Sequence, residues 1–562
     1  MVKTNLYTIL IITLNFTTFA VPLDWWEDAS LYQIYPRSWK DSDGNGIGDL
    51  KGITENLGYI KKIGMTATWL SPIFKSPMAD NGYDITNFTE IDPIFGTMDD
   101  FDALIKKSKE IGIKIILDFV PNHSSDECEW FQKSVNREDG YDDFYVWADG
   151  LDDPKNPLGQ KLPPSNWVSL LGGPMWKWNK KRHQFYLHHF LNQQPDFNFR
   201  NEIVHEKMFE IMKFWLDRGV DGFRIDAASL MYEKVFENGT YPDEDRNTVT
   251  YTQNQYETVQ LLYDWRKFLD IYQKENGGDT RFLLAEAYSP ISWLDKIIGN
   301  RTKKGVHSAF NFALLELNKT ANARNVENLV DSWMNVMWKK HQIANWVTSN
   351  HDRDRITEKV GQNKTDLMYF LVTGLPGITI TYYGEEIGMS NGDICTNCSK
   401  HLKRNNERTP FQWNNSTSAG FSLSNNTWLP VNNNYKNVNV QNQLASEKSP
   451  LRIFIALQKL KETRAFKSFK DKNGFSYNSV NDNVFQIIRR SSDEEYRFLI
   501  NFGDNEEDIG SFLSLEENSQ NNLMEYRVVS RNSPHAIGDT VKLTDIILMP
   551  FEGIALRRVY KD

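Results

Sequence analysis

The run Gly222-Phe-Arg-Ile-Asp-Ala227 sets an arginine and an aspartate two positions apart at the end of an apolar, strand-like stretch. Side chains alternate along a strand, so Arg224 and Asp226 face the same side. A guanidinium beside a carboxylate favours the ionised form and fixes its direction. An aspartate held that way can serve as a nucleophile. The same pair also serves as an ordinary structural ion bridge, and only what else converges on it separates the two readings. Other reactive side chains stand in comparable places. Asp118 stands near the end of the run 113–120 and His123 follows it, Glu286 follows 281–285, and Asn350, His351 and Asp352 follow 344–348.

The elements that must position these groups can be read from periodicity. Met208, Ile211, Met212 and Trp215 repeat at the spacing of one helix face, and Gly219 is a natural stop before the strand that carries Arg224. Residues 99–111 are likewise helical and lead into 113–120. Eight strand-like runs, at 31–36, 67–72, 113–120, 222–227, 281–285, 305–310, 344–348 and 377–382, alternate with helical stretches. That alternation predicts an α/β fold, a (β/α)₈ TIM barrel, whose chemistry sits at the C-terminal strand ends. The alternation fails at 121–199, which is rich in Pro, Gly, Trp and Asp and too long for a plain loop, so an inserted subdomain is expected after the third strand. From 471 the pattern turns to short strands, with a hairpin of 484–490, a turn at 491–495, 496–502, and a closing strand at 551–559. The expected order is a signal at 1–20, barrel at 21–120, insertion at 121–199, barrel at 200–470 and a C-terminal antiparallel β domain at 471–562. The Asn-rich run 425–443 reads as surface loop.

On such a barrel Asp226, Glu286 and Asp352 come from separate strands, ringed by His123, His351 and Arg224. Three carboxylates so arranged fit glycosidic bond cleavage: one attacks the anomeric carbon, one donates a proton to the leaving oxygen, and one stabilises the cationic sugar. Composition agrees with a sugar ligand, since 13% of residues are aromatic and flat rings suit sugar faces. The net charge of −10 argues against nucleic acid or an anionic membrane as partner. Residues 1–20 carry Lys3, a mostly apolar core and small residues at Thr18 and Ala20, the pattern of a secretory signal without a membrane anchor. Sequons such as Asn238, Asn300 and Asn318 suit that route, whereas Asn122 lies inside a catalytic motif and is expected to be buried and unmodified. Cys395 and Cys398 can close a small disulfide loop, and Cys128 is left over. Asp41, Asp43, Asn45 and Asp49 have the spacing of a hard-cation loop, but position twelve is Gly52 instead of a bidentate Glu. Spacing alone leaves a single structural Ca²⁺ site and a solvated Asp/Gly turn both open.

The chain resembles the α-amylase superfamily of glycoside hydrolases, in its oligo-α-glucosidase (maltase) branch, as found in secreted insect maltases. The resemblance runs from about Trp25 to the C-terminus. It is carried by Asp118-Phe-Val-Pro-Asn-His123, Gly222-Phe-Arg-Ile-Asp226, the strand ending in Glu286, Asn350-His-Asp352, and Gln194-Pro-Asp-Phe-Asn198. It implies a retaining α-glucosidase acting on small oligosaccharides, with Asp226 as nucleophile, Glu286 as acid/base and Asp352 as transition-state stabiliser. His123, His351 and Arg224 would surround the first sugar, Asp80 and Tyr83 would form the pocket with Phe190 in its wall, and Arg404 would pair with Asp80 to close it. The family's usual Asp after that first Arg is Asn405 here, and Arg408 is the alternative partner. The resemblance also assigns the Ca²⁺ ligands Asp41, Asp43, Asn45, the Ile47 carbonyl and Asp49. Ala227, directly after the nucleophile, is the residue type associated with α-1,4 preference. Two other readings compete: a non-catalytic relative of the transporter heavy-chain kind, and an endo-acting amylase.

Overall fold

The computed structural model describes residues 23–138, 140–155, 161–245, 250–337, 342–394, 398–470, 473–515 and 523–560. The expected signal at 1–20 and Cys395 therefore lie outside the described residues. Eight parallel strands form the frame: β1 (Ser30–Ile34), β2 (Ala67–Leu70), β3 (Lys114–Phe119), β4 (Gly222–Ile225), β5 (Phe282–Ala285), β6 (Ser308–Ala309), β7 (Asn345–Val347) and β8 (Ile378–Tyr382). They pair in the order β6-β5-β4-β3-β2-β1-β8-β7. The seam between β6 and β7 is bridged by a side chain. Asn345 donates to the Ala309 carbonyl at 2.5 Å and to Ser308 Oγ at 2.9 Å, and accepts from the Asn311 amide at 2.8 Å.

Local signals explain why the elements start and stop where they do. The helix Met98–Ile111 opens with a reciprocal Thr97/Asp100 capping box and ends on Gly112 in the left-handed region. The helix Glu202–Asp217 is capped by Asn201 and buries Met208, Ile211, Met212 and Trp215, the face expected from the spacing. Gly222 then starts β4 against β5 so closely that a Cβ there would lie 2.2 Å from the Phe282 carbonyl oxygen. Only glycine permits that approach.

Two satellite sheets complete the molecule. A three-stranded antiparallel sheet of Trp147–Ala148, Gln184–Leu187 and Trp176–Asn179 sits in the long insertion, around Trp167, Trp176 and Phe185. Near the C-terminus a six-stranded antiparallel sheet contains Val484–Arg490, Glu494–Asn501 and Gly553–Val559. The hairpin turn is shorter than expected, because the second strand already starts at Glu494. The Asn-rich run is also more ordered than its composition suggests. It holds the helix Val440–Ala445, Asn439 is buried, and Trp428 stacks on Tyr35 with Arg37 over its ring.

Candidate active site

The strand ends bring the reactive groups to one guanidinium. Arg224, which is buried, donates from Nη1 to Asp118 Oδ1 at 2.8 Å and to Asp226 Oδ1 at 2.5 Å, while Nη2 reaches Glu286 Oε2 at 3.0 Å. Its carbon lies 4.8 Å above the Trp69 ring, and the Trp69 indole donates to Asp118. Ala227, next after Asp226, has φ +49°, a strained setting for a residue with a Cβ. That turn aims its backbone N–H at Glu286 Oε2, 3.1 Å away.

Burial sets the protonation of this cluster. It pushes the Asp226 and Glu286 carboxyls up to about 7, neighbouring carboxylates add to the rise, and Arg224 opposes it. Asp226 and Glu286, two of the three carboxyls on Arg224, hold about one proton between them near neutrality. The shorter Arg224 contact favours the charge on Asp226 and leaves the proton to Glu286. Asp352 behaves differently. Burial alone would raise it, yet Arg404 and Arg408 both donate to its Oδ1, at 2.7 and 2.9 Å, and it stays well below the usual carboxylate range. His351 is held down to about 3 by burial, so it is neutral at ordinary pH and the two arginines carry that effect. A consistent proton order follows: Gln33 donates to His351 Nδ1, His351 Nε2 donates to Tyr83 Oη, and Tyr83 donates to Asp118, over 2.9, 2.7 and 3.0 Å.

The far end of the cavity is closed by polar contacts. Arg404 spans from Asp352 to Asp80 Oδ1 at 2.8 Å, and Gln194 donates to Asp80 Oδ2 at 3.2 Å. Arg408 lies beneath, its Nε on the His351 carbonyl at 2.8 Å. Both arginines thus act on Asp352, and Arg404 also hydrogen-bonds Asp80. Asp84 accepts from the backbone N–H groups of Ala79 and Asp80, which orients that loop. Opposite, Phe190 lies 5.0 Å from the His123 ring. Buried Asn122 donates to His123 Nδ1 and to Asp196, and this internal engagement leaves no room for a glycan. His189 faces Asp196 and the Thr252 carbonyl through its two ring nitrogens, both of which must therefore donate.

These groups line a cavity of about 540 Å³, in which every expected substrate residue appears except Arg224, which supports it from behind. Sequence reading missed Tyr288, Gln253 and Glu407 in its wall. Glu407 stands inside the run 404–410 that carries Arg404 and Arg408 but was given no role, Gln253 belongs to no motif, and only the second place after Glu286 marked Tyr288 as a neighbour of the chemistry. Tyr288 stacks on Phe312 at 4.2 Å and receives a hydrogen bond from Asn350.

The loop 41–49 gathers Asp41, Asp43 and Asp49, with one carboxylate oxygen from each within 4.8 Å of the others. Its backbone is wound inward: Asp41 accepts from the Gly44 and Gly46 amides, Asn45 Oδ1 from the Ile47 amide, and Asp49 from the Gly52 amide. Gly52 packs so tightly that a Cβ would lie 2.3 Å from the Lys40 carbonyl oxygen, which explains why no ligand side chain stands at position twelve. Three clustered carboxylates, with the Asn45 side chain in the same loop, fit a hard divalent cation.

A parallel eight-stranded barrel whose strand ends converge on Asp226, Glu286 and Asp352 defines a (β/α)₈ glycoside hydrolase. The "Alpha amylase, catalytic domain" family matches residues 33–468, and the chain belongs to it. Maltase A2 of Drosophila melanogaster is 52% identical over 550 residues, covering 95% of each chain. A salivary alpha-glucosidase of Aedes aegypti is 44% identical over 78% of this chain and 80% of that one. The amino acid transporter heavy chain SLC3A1 of Rattus norvegicus is 36% identical over 96% of this chain and 79% of its own. Among solved structures, a mutant trehalulose synthase with Tris bound superposes with a TM-score of 0.82 at 27% identity, over 95% of this chain and 100% of that one.

Proposed function

We propose that the chain is an α-glucosidase that releases glucose from the non-reducing end of maltose and short malto-oligosaccharides, with sucrose as a further substrate. One observation carries the reading: a single buried guanidinium, Arg224, orients Asp226 and Glu286 at the wall of a cavity whose far end is closed by Asp80, Arg404 and Asp352. Asp226 attacks the anomeric carbon as the bond to the leaving oxygen breaks, and Glu286 gives that oxygen its proton. Glu286, now ionised, takes a proton from water, the water oxygen bonds to the anomeric carbon, and Asp226 is released. Asp352, held ionised, offsets the positive charge that develops on the ring. A closed end fits a terminal sugar and disfavours the mid-chain binding an endo-acting enzyme needs. A purely non-catalytic scaffold would have no need for three acids kept in different protonation states.

Secretion, glycosylation at exposed sequons such as Asn300, a Cys395–Cys398 disulfide and a structural Ca²⁺ in the loop 41–49 belong to the same reading. The sequence pattern of 1–20 and the oxygen-rich loop support them. When bound, the cation would fasten that loop through Asp41, Asp43, Asn45, the Ile47 carbonyl and Asp49, with no part in the reaction. Among the described residues no helix is long and apolar enough to cross a membrane.

The test is glucose release from maltose, isomaltose and sucrose by the wild type and by Asp226→Asn. Cleavage of maltose by the wild type, with the variant folded and nearly inactive, is the expected result. Starch cleaved in preference to maltose would point to the endo-acting reading, and no release from any substrate would remove the enzyme reading altogether.

A further inference from the structure

We infer that Glu407 is a specificity residue of this pocket, one whose carboxyl binds a hydroxyl of the leaving-group sugar. The inference rests on the α-glucosidase reading and names a residue to which sequence reading assigned no role. Glu407 lies on the short helix Arg404–Arg408, is only 4% exposed, and lines the cavity with Asp352, Arg353 and Asp354. Its neighbours on that helix are committed: Arg404 to Asp80 and Asp352, Arg408 to Asp352 and the His351 carbonyl. The Glu407 backbone is fixed too, since its carbonyl accepts from Tyr382 Oη at 3.1 Å. Its carboxyl, by contrast, accepts no side-chain hydrogen bond among the described residues; its own backbone N–H is the donor it meets, and the residue lines the cavity. A nearly buried carboxyl met only by its own amide keeps most of its hydrogen-bonding capacity unused, which is costly unless something else satisfies it. A sugar hydroxyl, at once donor and acceptor, is suited to do so.

The surroundings place that hydroxyl and set the proton. The charged groups around Glu407 are Arg408, Asp352 and Asp354, with Arg404 and Lys403 on the same turn. Arg404 and Asp80 close the blind end, where the terminal sugar sits. Asp354 is exposed and lines the same cavity, and Glu407 feels the charge of both Asp352 and Asp354, which sets it on the solvent side of the blind end, where the sugar beyond the scissile bond would lie. Burial first, and then the Asp352 and Asp354 carboxylates, push the Glu407 carboxyl up to about 8 against the pull of Arg408. A second sugar that displaces water from this wall penalises the ionised form further, so substrate binding and the neutral carboxyl reinforce each other.

The experiment compares kcat/KM for maltose, which has a leaving sugar, with that for p-nitrophenyl α-glucoside, which has none, in wild type, Glu407→Gln and Glu407→Ala. The ratio of the two constants is expected to fall roughly tenfold in Glu407→Ala, the worth of one hydrogen bond between uncharged groups, and to stay near wild type in Glu407→Gln. Both constants are measured below about pH 6, where Glu286 is protonated and its alkaline limb does not enter the ratio. A ratio unchanged in Glu407→Ala, or one that falls as far in Glu407→Gln as in Glu407→Ala, overturns the inference while leaving the α-glucosidase reading intact. Wild type inactive on both substrates overturns both.

Discussion

Glu286 and Asp226 touch the same guanidinium, yet the mechanism needs one protonated and the other charged. Their difference comes from geometry: Asp226 takes the 2.5 Å contact with Arg224, while Glu286 shares its Oε2 between Arg224 and the Ala227 amide. The pH dependence follows with a definite sign. Glu286 acts as an acid only while protonated, so kcat/KM for maltose should fall as pH rises through about 7. Glu286→Gln should lower kcat/KM for maltose by about 10²–10⁴ and remove that alkaline limb. The loss should be smaller on p-nitrophenyl α-glucoside, whose leaving group needs little protonation. A pH–rate profile of both enzymes on both substrates checks this, and an alkaline limb that survives in Glu286→Gln would assign the proton elsewhere. These acids were readable from sequence because each follows a short apolar run whose direction fixes where its end points. Tyr288 and Glu407 were not, since each reaches the cavity from a loop or short helix that no periodicity describes.

Short turns set the chemistry at the scale of elements. The strained turn after β4 exists because the Ala227 N–H must leave the strand direction to meet Glu286. A β-branched residue there carries more steric cost at positive φ and more bulk in the cavity wall, which Ala227 itself lines. Ala227→Val should therefore lower the ratio of maltose to isomaltose cleavage, by a factor within about 10–200, the range a small apolar change in a pocket supplies. Measuring kcat/KM on the two disaccharides decides it, and an unchanged ratio would dissociate this residue from linkage choice. The loop 41–49 is the second such element. With Asp41, Asp43 and Asp49 converging, like charges repel unless a cation joins them. EDTA should lower the melting temperature and added Ca²⁺ restore it, whereas Asp43→Ala should melt at one temperature in both. Element positions were largely legible, because alternation and helix faces are strong signals. The hairpin pairing Phe74–Lys75 with Asn87–Ile91 was not, since a two-residue strand carries no alternation. The strand Leu523–Val529 was missed for another reason: its register shifts between Tyr526 and Val528, which breaks the alternating pattern.

The whole molecule depends on how the C-terminal sheet meets the barrel. One face of that sheet, with Phe485, Ile487, Phe498 and Ile500, belongs to the same apolar core as the barrel helices. The other face, with Leu499, Ile554 and Leu556, has a core of its own. The junction is tight: a Cβ on Gly374, in the helix Thr365–Gly374, would lie 2.8 Å from Ile487 Cδ1 and 3.3 Å from Phe498 Cγ. That same helix leads into β8, and the residues after β8 form the Arg404–Arg408 turn that closes the pocket. Sheet and active site are thus joined through one packed stretch. Phe498 is fully buried, edge-on to Phe370 at 6.4 Å and to Phe466 at 5.9 Å. Phe498→Ala removes a ring from this seam and should cost about 3–5 kcal/mol of stability. Because the core is continuous, barrel and sheet should still unfold in one transition, at a lower temperature, with glucose release lost over the same interval. Calorimetry alongside an activity melt reads both quantities. A separate early transition that left activity intact would show the sheet to be an independent unit; coincident curves would show that the β domain holds the closing turn in place.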